Sequence, residues 1–564
     1  MKRRMRSKIY SLLVASVVML CGAGSLQAQT PHRDSADFEF GRSIEILANM
    51  MREFDQSYVS RIDVDELLAA AADGISRITD PYSLYLSEED MVGFATLSTG
   101  KYGGVGSTIR KRGDYVVFAS PRKGSPADEA GIKPGDKILA INGKSMKGAS
   151  VDEISDNLMG VPETDVEVTI ERIYGSQVET LTIRRRQIFV PSVPYYTILR
   201  DGVGYITHND FIKGSYDEMR HAIESLMAEA EADGGLKGLV LDYRSNGGGI
   251  MREAIDIVSL FVDRNERILS TMGRDSSSLR HFATQYAPIA RDLPIVVLVN
   301  RTSASASEIL AGSLQDLDRA VIMGQRTFGK GLVQSTAYLG YGTYLKYTTE
   351  KYYIPSGRCI QAHVNATRNS DGSVASVPDS LVREFATRGG RKVYDGGGIM
   401  PDVTLEPQYY NRFAYELLSQ GYIFNWVDKY MCEHHDEMID VLSFRLSDED
   451  YADFVSFMQD KELRYESQSR RALNALEKAL AEEQYDEHLS DAISQIREQL
   501  KDDKLSNLQT YRKDIEDIIV MEIVSRYAYE EAGVAVSVQK DEDVARAVDL
   551  LLDEAEYRRL LTKQ

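Results

Sequence analysis

The sequence IVVLVNRTSASASEIL, residues 295–310, joins a continuous apolar run to the first turns of a helix. An unbroken run such as Ile295–Val299 is typical of a parallel strand that is buried on both faces of its sheet. We expect a helix over about Ala304–Leu317. A second apolar run, Leu239–Leu241, also precedes a loop and a helix, here over Met251–Val262. This strand–loop–helix order predicts a layered α/β domain.

Ser305 and Glu308 stand at the start of the expected helix with the spacing of a capping box. A helix N-terminus also presents unpaired N–H groups and a positive dipole. Those groups are what the oxyanion of an acyl-transfer reaction needs. The spacing by itself favours a structural cap, but a cap and a nucleophilic serine are compatible roles.

A catalytic serine needs a base, because its hydroxyl is a weak nucleophile until the proton is removed. None of the eight histidines lies in a motif of this kind, and the nearest candidates are His208, His221 and His281. Lys330, within TFGKGLVQ at 327–334, is flanked by glycines and apolar residues. A lysine base requires a pKa that falls from about 10.4 to about 7–8, and burial can supply this shift. Considered alone, Lys330 is better explained as an ordinary surface lysine in a glycine turn.

The loop DYRSNGGG, residues 242–249, follows the other apolar run. A phosphate-binding loop would carry Lys-Ser or Lys-Thr after its glycines, and this one does not. A tight glycine turn and a loop that offers backbone N–H groups to a ligand remain as interpretations.

Residues 100–186 have the texture of short strands separated by glycine turns. Ser125 before Pro126 predicts one helix start, and Ser150 with Glu153 predicts a second through a capping box. The loop YGGVG at 102–106 could direct successive N–H groups at an anion, and the strand after it could pair with an extended peptide. A glycine turn without a ligand is the alternative.

The run SPADEAGIKPGDKILAING, residues 125–143, resembles a PDZ domain. The SASASEI helix start, TFGKGLVQ and DYRSNGGG together resemble the C-terminal processing peptidases, also called tail-specific proteases. GGGIMPD at 396–402 resembles the segment that closes their catalytic domain, and the resemblance covers roughly 38–403. Tyr243 and Gly247 depart from the usual leucine and proline of the third motif.

The resemblance implies a serine endopeptidase with a Ser–Lys dyad and a crotonase-like α/β core. It selects Ser305 over Ser303 and Ser307 as the nucleophile. The implied roles of the other residues are: Lys330, general base; Gln334, orienting partner of the lysine; Glu308, supporting residue; Gly248 and Ala306, oxyanion-hole N–H donors; Gly103, Gly104, Val105 and Gly106, binding of a peptide carboxylate. The PDZ domain would capture the C-terminal tails of protein substrates, and cleavage would pass through an acyl-enzyme.

The first residues predict export. Five basic residues precede an apolar stretch, and Leu26-Gln27-Ala28 resembles a signal-peptidase site, although an uncleaved anchor is the competing interpretation. We expect a periplasmic protein, with membrane association left open. The predicted division of the chain is: 1–28, signal peptide; 37–98, helical N-terminal domain; 99–186, PDZ domain; 187–407, crotonase-like protease domain; 408–564, helical C-terminal extension.

Composition limits the partners. The net charge of −20 disfavours nucleic acid, whose phosphates need a basic surface. No cofactor or metal is expected, and His434–Glu437 is interpreted as a solvated polar face. Cys359 and Cys432 could form a disulfide, and the extension could mediate a homodimer.

Two other functions stay open. One is an inactive adaptor that uses only its PDZ domain. The other is a hydrolase based on His208 or His281, which would need a nucleophile elbow that the sequence lacks.

Overall fold

The computed structural model describes residues 36–368, 374–407, 411–483, 486–500 and 504–562. The chain divides into two compact units after Ile78. Two helices occupy the first unit: α1 (Ala36–Ser57) and α2 (Val64–Thr79). The second unit begins with β1 (Leu84–Leu86) and α3 (Glu88–Thr99). Residues 79–98 belong with the larger unit in this division. The predicted signal peptide lies outside the described residues.

The next part of the chain is a small β domain with two short helices. Its main sheet has the strand order β3–β4–β5–β7–β8, with β6 beside β5, while β2 pairs with β9. Ser125 and Ser150 cap the two helices as predicted, since their side chains accept the N–H groups of Asp128 and Glu153. The elements are: β2, Lys101–Gly104; β3, Ser107–Arg112; β4, Tyr115–Pro121; α4, Pro126–Glu129; β5, Lys137–Ile141; β6, Lys144–Ser145; α5, Val151–Leu158; β7, Asp165–Glu171; β8, Val178–Arg184; β9, Arg186–Phe189.

A six-stranded sheet forms the centre of the larger unit, with the order β10–β11–β12–β15–β16–β23. All neighbours are parallel except β10 and β11. This confirms the predicted parallel strands, and it brings the loops after β12 and β15 to the same edge of the sheet. The strands are: β10, Tyr195–Ile198; β11, Val203–Thr207; β12, Gly238–Asp242; β15, Ile295–Val299; β16, Val321–Gly324; β23, Val403–Thr404.

Both faces of this sheet are buried, because side chains alternate along each strand. Leu239 and Leu241 pack on the face that carries α6 (Ser215–Ala230), α7 (Met251–Val258) and α8 (Ala306–Asp316). Val240 packs on the opposite face. Helices α7 and α8 are each shorter than predicted.

A second sheet contains β1, β18, β13 and β14 in that order, with β17 beside β18. It carries the segment that begins just after Lys330. Two short hairpins, β19–β20 and β21–β22, complete this part of the chain. The strands are: β13, Arg267–Met272; β14, Arg280–Ala283; β17, Leu332–Gly340; β18, Thr343–Tyr353; β19, His363–Arg368; β20, Val374–Ser376; β21, Glu384–Ala386; β22, Lys392–Tyr394.

The rest of the chain is helical, as predicted, and it is part of the same compact unit. Asp428 is buried between Arg112 of the β domain and Arg526, at 2.6 and 2.5 Å. No helix in the described part of the chain is long and apolar enough to cross a membrane. The helices are: α9, Arg412–Ser419; α10, Tyr422–His434; α11, Asp448–Met458; α12, Gln468–Glu483; α13, Asp486–Gln499; α14, Lys504–Thr510; α15, Arg512–Lys540; α16, Glu542–Leu552; α17, Glu554–Leu561.

Candidate active site

Ser305 lies between β15 and α8 with a backbone that few residues adopt. Its φ and ψ are 56° and −113°, and such conformations outside glycine cost of order 1–3 kcal/mol. Its carbonyl accepts the N–H groups of Glu308 and Ile309, both at 2.9 Å, and thereby starts the helix. Its side chain is partly exposed. The sequence therefore presents a serine hydroxyl on a strained turn at a helix N-terminus.

The carboxylate of Glu308 joins this turn to the Lys330 loop. Oε2 accepts the N–H of Ser305 at 2.8 Å, which is the carboxylate half of the predicted capping box, and the N–H of Lys330 at 2.9 Å. Oε1 accepts Thr327 Oγ1 at 2.5 Å and the N–H of Gly329 at 2.6 Å. Burial raises the pKa of Glu308 to about 7, although these four hydrogen bonds lower it. One buried side chain thus fixes the backbone of both candidate catalytic residues.

Tyr352, on β18, provides a second link between the same two residues. Its hydroxyl lies 3.2 Å from the carbonyl oxygen of Ser305 and also contacts the carbonyl oxygen of Lys330. The side chain is buried. No local sequence pattern points to this residue, because the hydroxyl reaches the site through the pairing of β17 with β18.

The Lys330 side chain lies against an aromatic ring. Its Nζ is 4.8 Å from the ring centre of Tyr82. Burial lowers the pKa of the Lys330 amine to about 8 and nearby Lys346 adds to the effect, while Asp80 and Glu308 oppose it. About a tenth of this amine is therefore uncharged at pH 7, and this neutral form is the one that a lysine base requires.

The glycine before Lys330 has a spatial cause. Gly329 has a φ of +87°, and a β-carbon there would lie 2.4 Å from Ala362 Cβ. No other residue could bring this loop so close to the segment that carries Ala362. The glycine thus allows the close packing of the Lys330 loop on the Ala362 segment.

The two predicted oxyanion donors differ. In the described part of the chain the N–H of Ala306 meets no hydrogen-bond acceptor, as is usual in the first turn of a helix. The N–H of Gly248 instead donates to Asn246 Oδ1 at 2.8 Å. Gly248 does pack against the Ser305 turn, since a β-carbon at this position would lie 2.8 Å from Ser305 Cβ. The N–H of Ala306 is thus available to an oxyanion. Gly248 lies close to Ser305, but its N–H is hydrogen-bonded to Asn246.

Gln334 lies on β17, and its Nε2 donates to Thr348 Oγ1 at 3.3 Å. The role of Gln334 in orienting Lys330 stays a prediction.

The two alternative serines are buried, and their hydroxyls already donate hydrogen bonds. Ser303 Oγ donates to the carbonyl of Tyr243 at 2.8 Å, and Ser307 Oγ donates to that of Asn246 at 2.9 Å. Both serve to tie the 242–249 loop to the helix start.

The candidate histidines lie elsewhere. His208 is fully buried, contacts Asn246 and has a pKa that burial lowers to about 3. His281 pairs with Ser270 Oγ at 2.8 Å on the β13–β14 hairpin. Neither imidazole contacts Ser305, so neither is placed to take its proton.

The predicted peptide-binding loop divides into two parts. Gly103 and Gly104 lie in β2 and pair with β9. Val105 and Gly106 follow the strand, and their carbonyls accept the N–H groups of Ala127 and Arg122. Within the described residues the N–H groups of Val105 and Gly106 have no acceptor, although both residues are buried. Two adjacent unpaired N–H groups are suited to bind a carboxylate.

The structure also places the His434–Glu437 run and the two cysteines. The described residues contain no group of three or more His, Cys, Asp or Glu side chains that could hold a metal ion. His434 stacks on Tyr430, and His435 stacks on Tyr174. Cys359 and Cys432 are both free thiols.

Comparison with known proteins assigns the parts of the chain. Residues 202–405 match the model of peptidase family S41, residues 117–172 match a PDZ domain, and residues 413–551 match the C-terminal helical domain of probable PDZ-proteases. These domains, together with the Ser305 turn and the Lys330 loop, define the class of PDZ-containing S41 peptidases.

Two curated relatives and one solved structure are similar to this chain. A probable CtpA-like serine protease of Staphylococcus aureus is 37% identical over 316 residues, which are 56% of this chain and 62% of that protein. One of Staphylococcus saprophyticus is 32% identical over 354 residues, which are 62% of this chain and 70% of that protein. The solved photosystem II D1 C-terminal processing protease is 26% identical, with 66% of this chain and 93% of that chain covered and a TM-score of 0.35. The chain belongs to the C-terminal processing peptidase family.

Proposed function

We propose that this protein is an exported serine endopeptidase that binds the C-terminal tails of protein substrates through its PDZ domain and cleaves them with a Ser305–Lys330 dyad. One observation carries the proposal. Glu308 fixes the backbones of Ser305 and Lys330 with the same oxygen, and the amine of Lys330 has a lowered pKa. A purely structural cap would need no such link to a buried lysine.

The chemistry follows from these groups. The neutral amine of Lys330 takes the proton of Ser305 Oγ while that oxygen bonds to the carbonyl carbon of the substrate. The oxyanion accepts the N–H of Ala306, and the N–H of Gly248 joins it when the loop turns that group away from Asn246. The Lys330 ammonium then protonates the leaving amine, which gives the acyl-enzyme. Water attacks the ester with Lys330 as base and restores Ser305.

Substrate capture is proposed for the loop at Val105 and Gly106. Their unpaired N–H groups are suited to the carboxylate of a peptide, and β3 is an edge strand to which an extended tail could add. We further propose the crotonase-like core, the domain limits predicted from the sequence, and export through residues 1–28 to the periplasm. Membrane association by that segment and a homodimer through the extension are parts of the same proposal.

The test uses the full chain and an unstructured protein with an apolar C-terminal tail. We expect cleavage by the wild type and none by Ser305→Ala or Lys330→Ala, with unchanged circular dichroism in both variants. An amidated tail should raise KM by about tenfold or more, because a neutral amide cannot occupy an anion site. Full activity of Lys330→Ala would exclude the dyad, and tail binding without cleavage by the wild type would favour the adaptor.

A further inference from the structure

The second face of the central sheet is covered by the end of the chain. Helix α16 packs on β12 and β15, with Val544, Val548 and Leu551 buried against Val240 and Leu298. Tyr557, in α17, lies with its hydroxyl 2.8 Å from the backbone nitrogen of Ile295. The C-terminal helices are thus part of the core on which the candidate active site stands.

This packing brings two carboxylates to the loop that follows β12. Arg244 contacts Asp541 Oδ2 at 2.8 Å and Asp543 Oδ2 at 3.5 Å, in addition to its neighbour Asp242 at 2.5 Å. All four side chains are largely buried, with 7–22% of their surface exposed. Charge pairs that are shielded from water hold their geometry more firmly than surface pairs.

The held loop leads directly to the nucleophile. Two residues after Arg244, the carbonyl of Asn246 accepts the N–H of Ala304 at 3.0 Å and the hydroxyl of Ser307 at 2.9 Å. The side chain of Asn246 accepts the N–H of Gly248. The position of Arg244 therefore bears on where Gly248 stands relative to Ser305.

We propose that Asp541 and Asp543 are positioning residues for the acyl-transfer site, which act through Arg244 on the loop that carries Gly248. This inference rests on the proposed function for its catalytic consequence. It assigns to the helical extension a role in catalysis that the C-terminal processing motifs, which all precede residue 403, do not contain.

The structure offers a clean substitution. The two carboxylate oxygens of Asp541 have different partners. Oδ1 accepts the N–H groups of Asp543 and Val544 at the start of α16, and Oδ2 contacts Arg244. Asparagine is an equally good helix cap. Asp541→Asn therefore retains the cap and removes the charge. Asp549→Asn is the matched control, because Asp549 lies in the same helix and pairs with Arg200, outside the loop.

The experiment compares the wild type, Asp541→Asn with Asp543→Asn, and Asp549→Asn, all as the full chain. Two measurements are made: kcat and KM on the tailed substrate, and hydrogen exchange of residues 243–250. In the double variant we expect kcat to fall by about 10–100-fold with KM unchanged, since small misplacements of catalytic groups cost this much. Exchange of the loop should be at least about tenfold faster. With Asp543→Asn retained, glutamate in place of asparagine at position 541 should restore part of kcat.

Two results would overturn the inference: a double variant whose loop exchange matches the wild type, or an equal change in Asp549→Asn. Hydrogen exchange does not depend on turnover. It therefore tests whether Asp541 and Asp543 restrain the loop that carries Gly248, even if the protein cleaves nothing. A wild type that cleaves nothing while the double variant shows faster exchange would refute the proposed function and support the positioning role.

Discussion

Oε2 of Glu308 lies 2.9 Å from the backbone nitrogen of Lys330, although 22 positions separate the two residues in sequence. The same oxygen accepts the N–H of Ser305. A buried carboxylate therefore sets the relative backbone position of the proposed nucleophile and base, and substitutions around it should separate stability from chemistry.

Glu308→Gln should destabilise the fold. The amide keeps one acceptor oxygen, so about two of the four donors lose their acceptor, and each unsatisfied buried donor costs about 1–3 kcal/mol. We expect the free energy of unfolding in urea to fall by about 2–6 kcal/mol. Glu224→Gln, which loses an exposed pair with Arg220, should change it by less than about 0.5 kcal/mol. Equal stability of the two variants would contradict the role of Glu308.

The cleavage rate should follow the titration of Lys330. Below its pKa of about 8 the amine is protonated and cannot accept a proton, so kcat/KM should fall about tenfold per pH unit. Tyr82→Ala should expose the amine to water and raise its pKa, so the fall in kcat/KM should begin at a higher pH. Tyr338→Ala, at an exposed tyrosine, should not move it. If kcat/KM instead begins to fall near pH 6, and Tyr82→Ala does not change that pH, another group is the base.

Lys330 should also make stability depend on pH. The unfolded chain keeps this proton up to the usual pKa of 10.5, while the folded chain releases it at about 8. The unfolded state thus binds more protons between these values, and folding becomes more favourable as pH rises through them. Lys330→Met should lack this rise and be the more stable protein at pH 7. Parallel stability–pH curves for both proteins would argue that Lys330 is fully solvated.

The strain at Ser305 can be measured through two inactive variants. Glycine adopts a φ of 56° and ψ of −113° without a side-chain clash, whereas alanine does not. Ser305→Gly should therefore be more stable than Ser305→Ala by about 1 kcal/mol in thermal unfolding. If Ser305→Ala is the more stable of the two, the turn is not strained.

Asp428 should hold the PDZ domain on the helical extension. Asp428→Asn leaves Arg112 and Arg526 without their buried partner, and breaking such a pair costs about 3–5 kcal/mol. Limited proteolysis should then cut between the domains at least several-fold faster. Asp263→Asn, which loses an exposed pair with Arg291, is the control and should behave as the wild type.

Much of the site could be predicted from local pattern. Ser305 and Lys330 stand in short motifs with the residue types that acyl transfer requires, and the apolar runs predicted the parallel strands that place them. Tyr352 and Tyr82 escaped prediction because they reach the lysine through strand pairing and ring packing, which leave no signal in local spacing. Gly248 was predicted as an oxyanion donor, yet its N–H is engaged by Asn246, a contact that depends on the fold of the loop.

The sequence by itself determined the family, the layered α/β order and the two residues that carry the proposed chemistry, because these depend on residue types at fixed spacing. Only the tertiary structure decided what surrounds them. Glu308 meets Lys330, and Asp541 meets Arg244, because sheet and helix packing bring distant segments together. The lowered pKa of Lys330 has the same origin, since burial is a property of the folded chain.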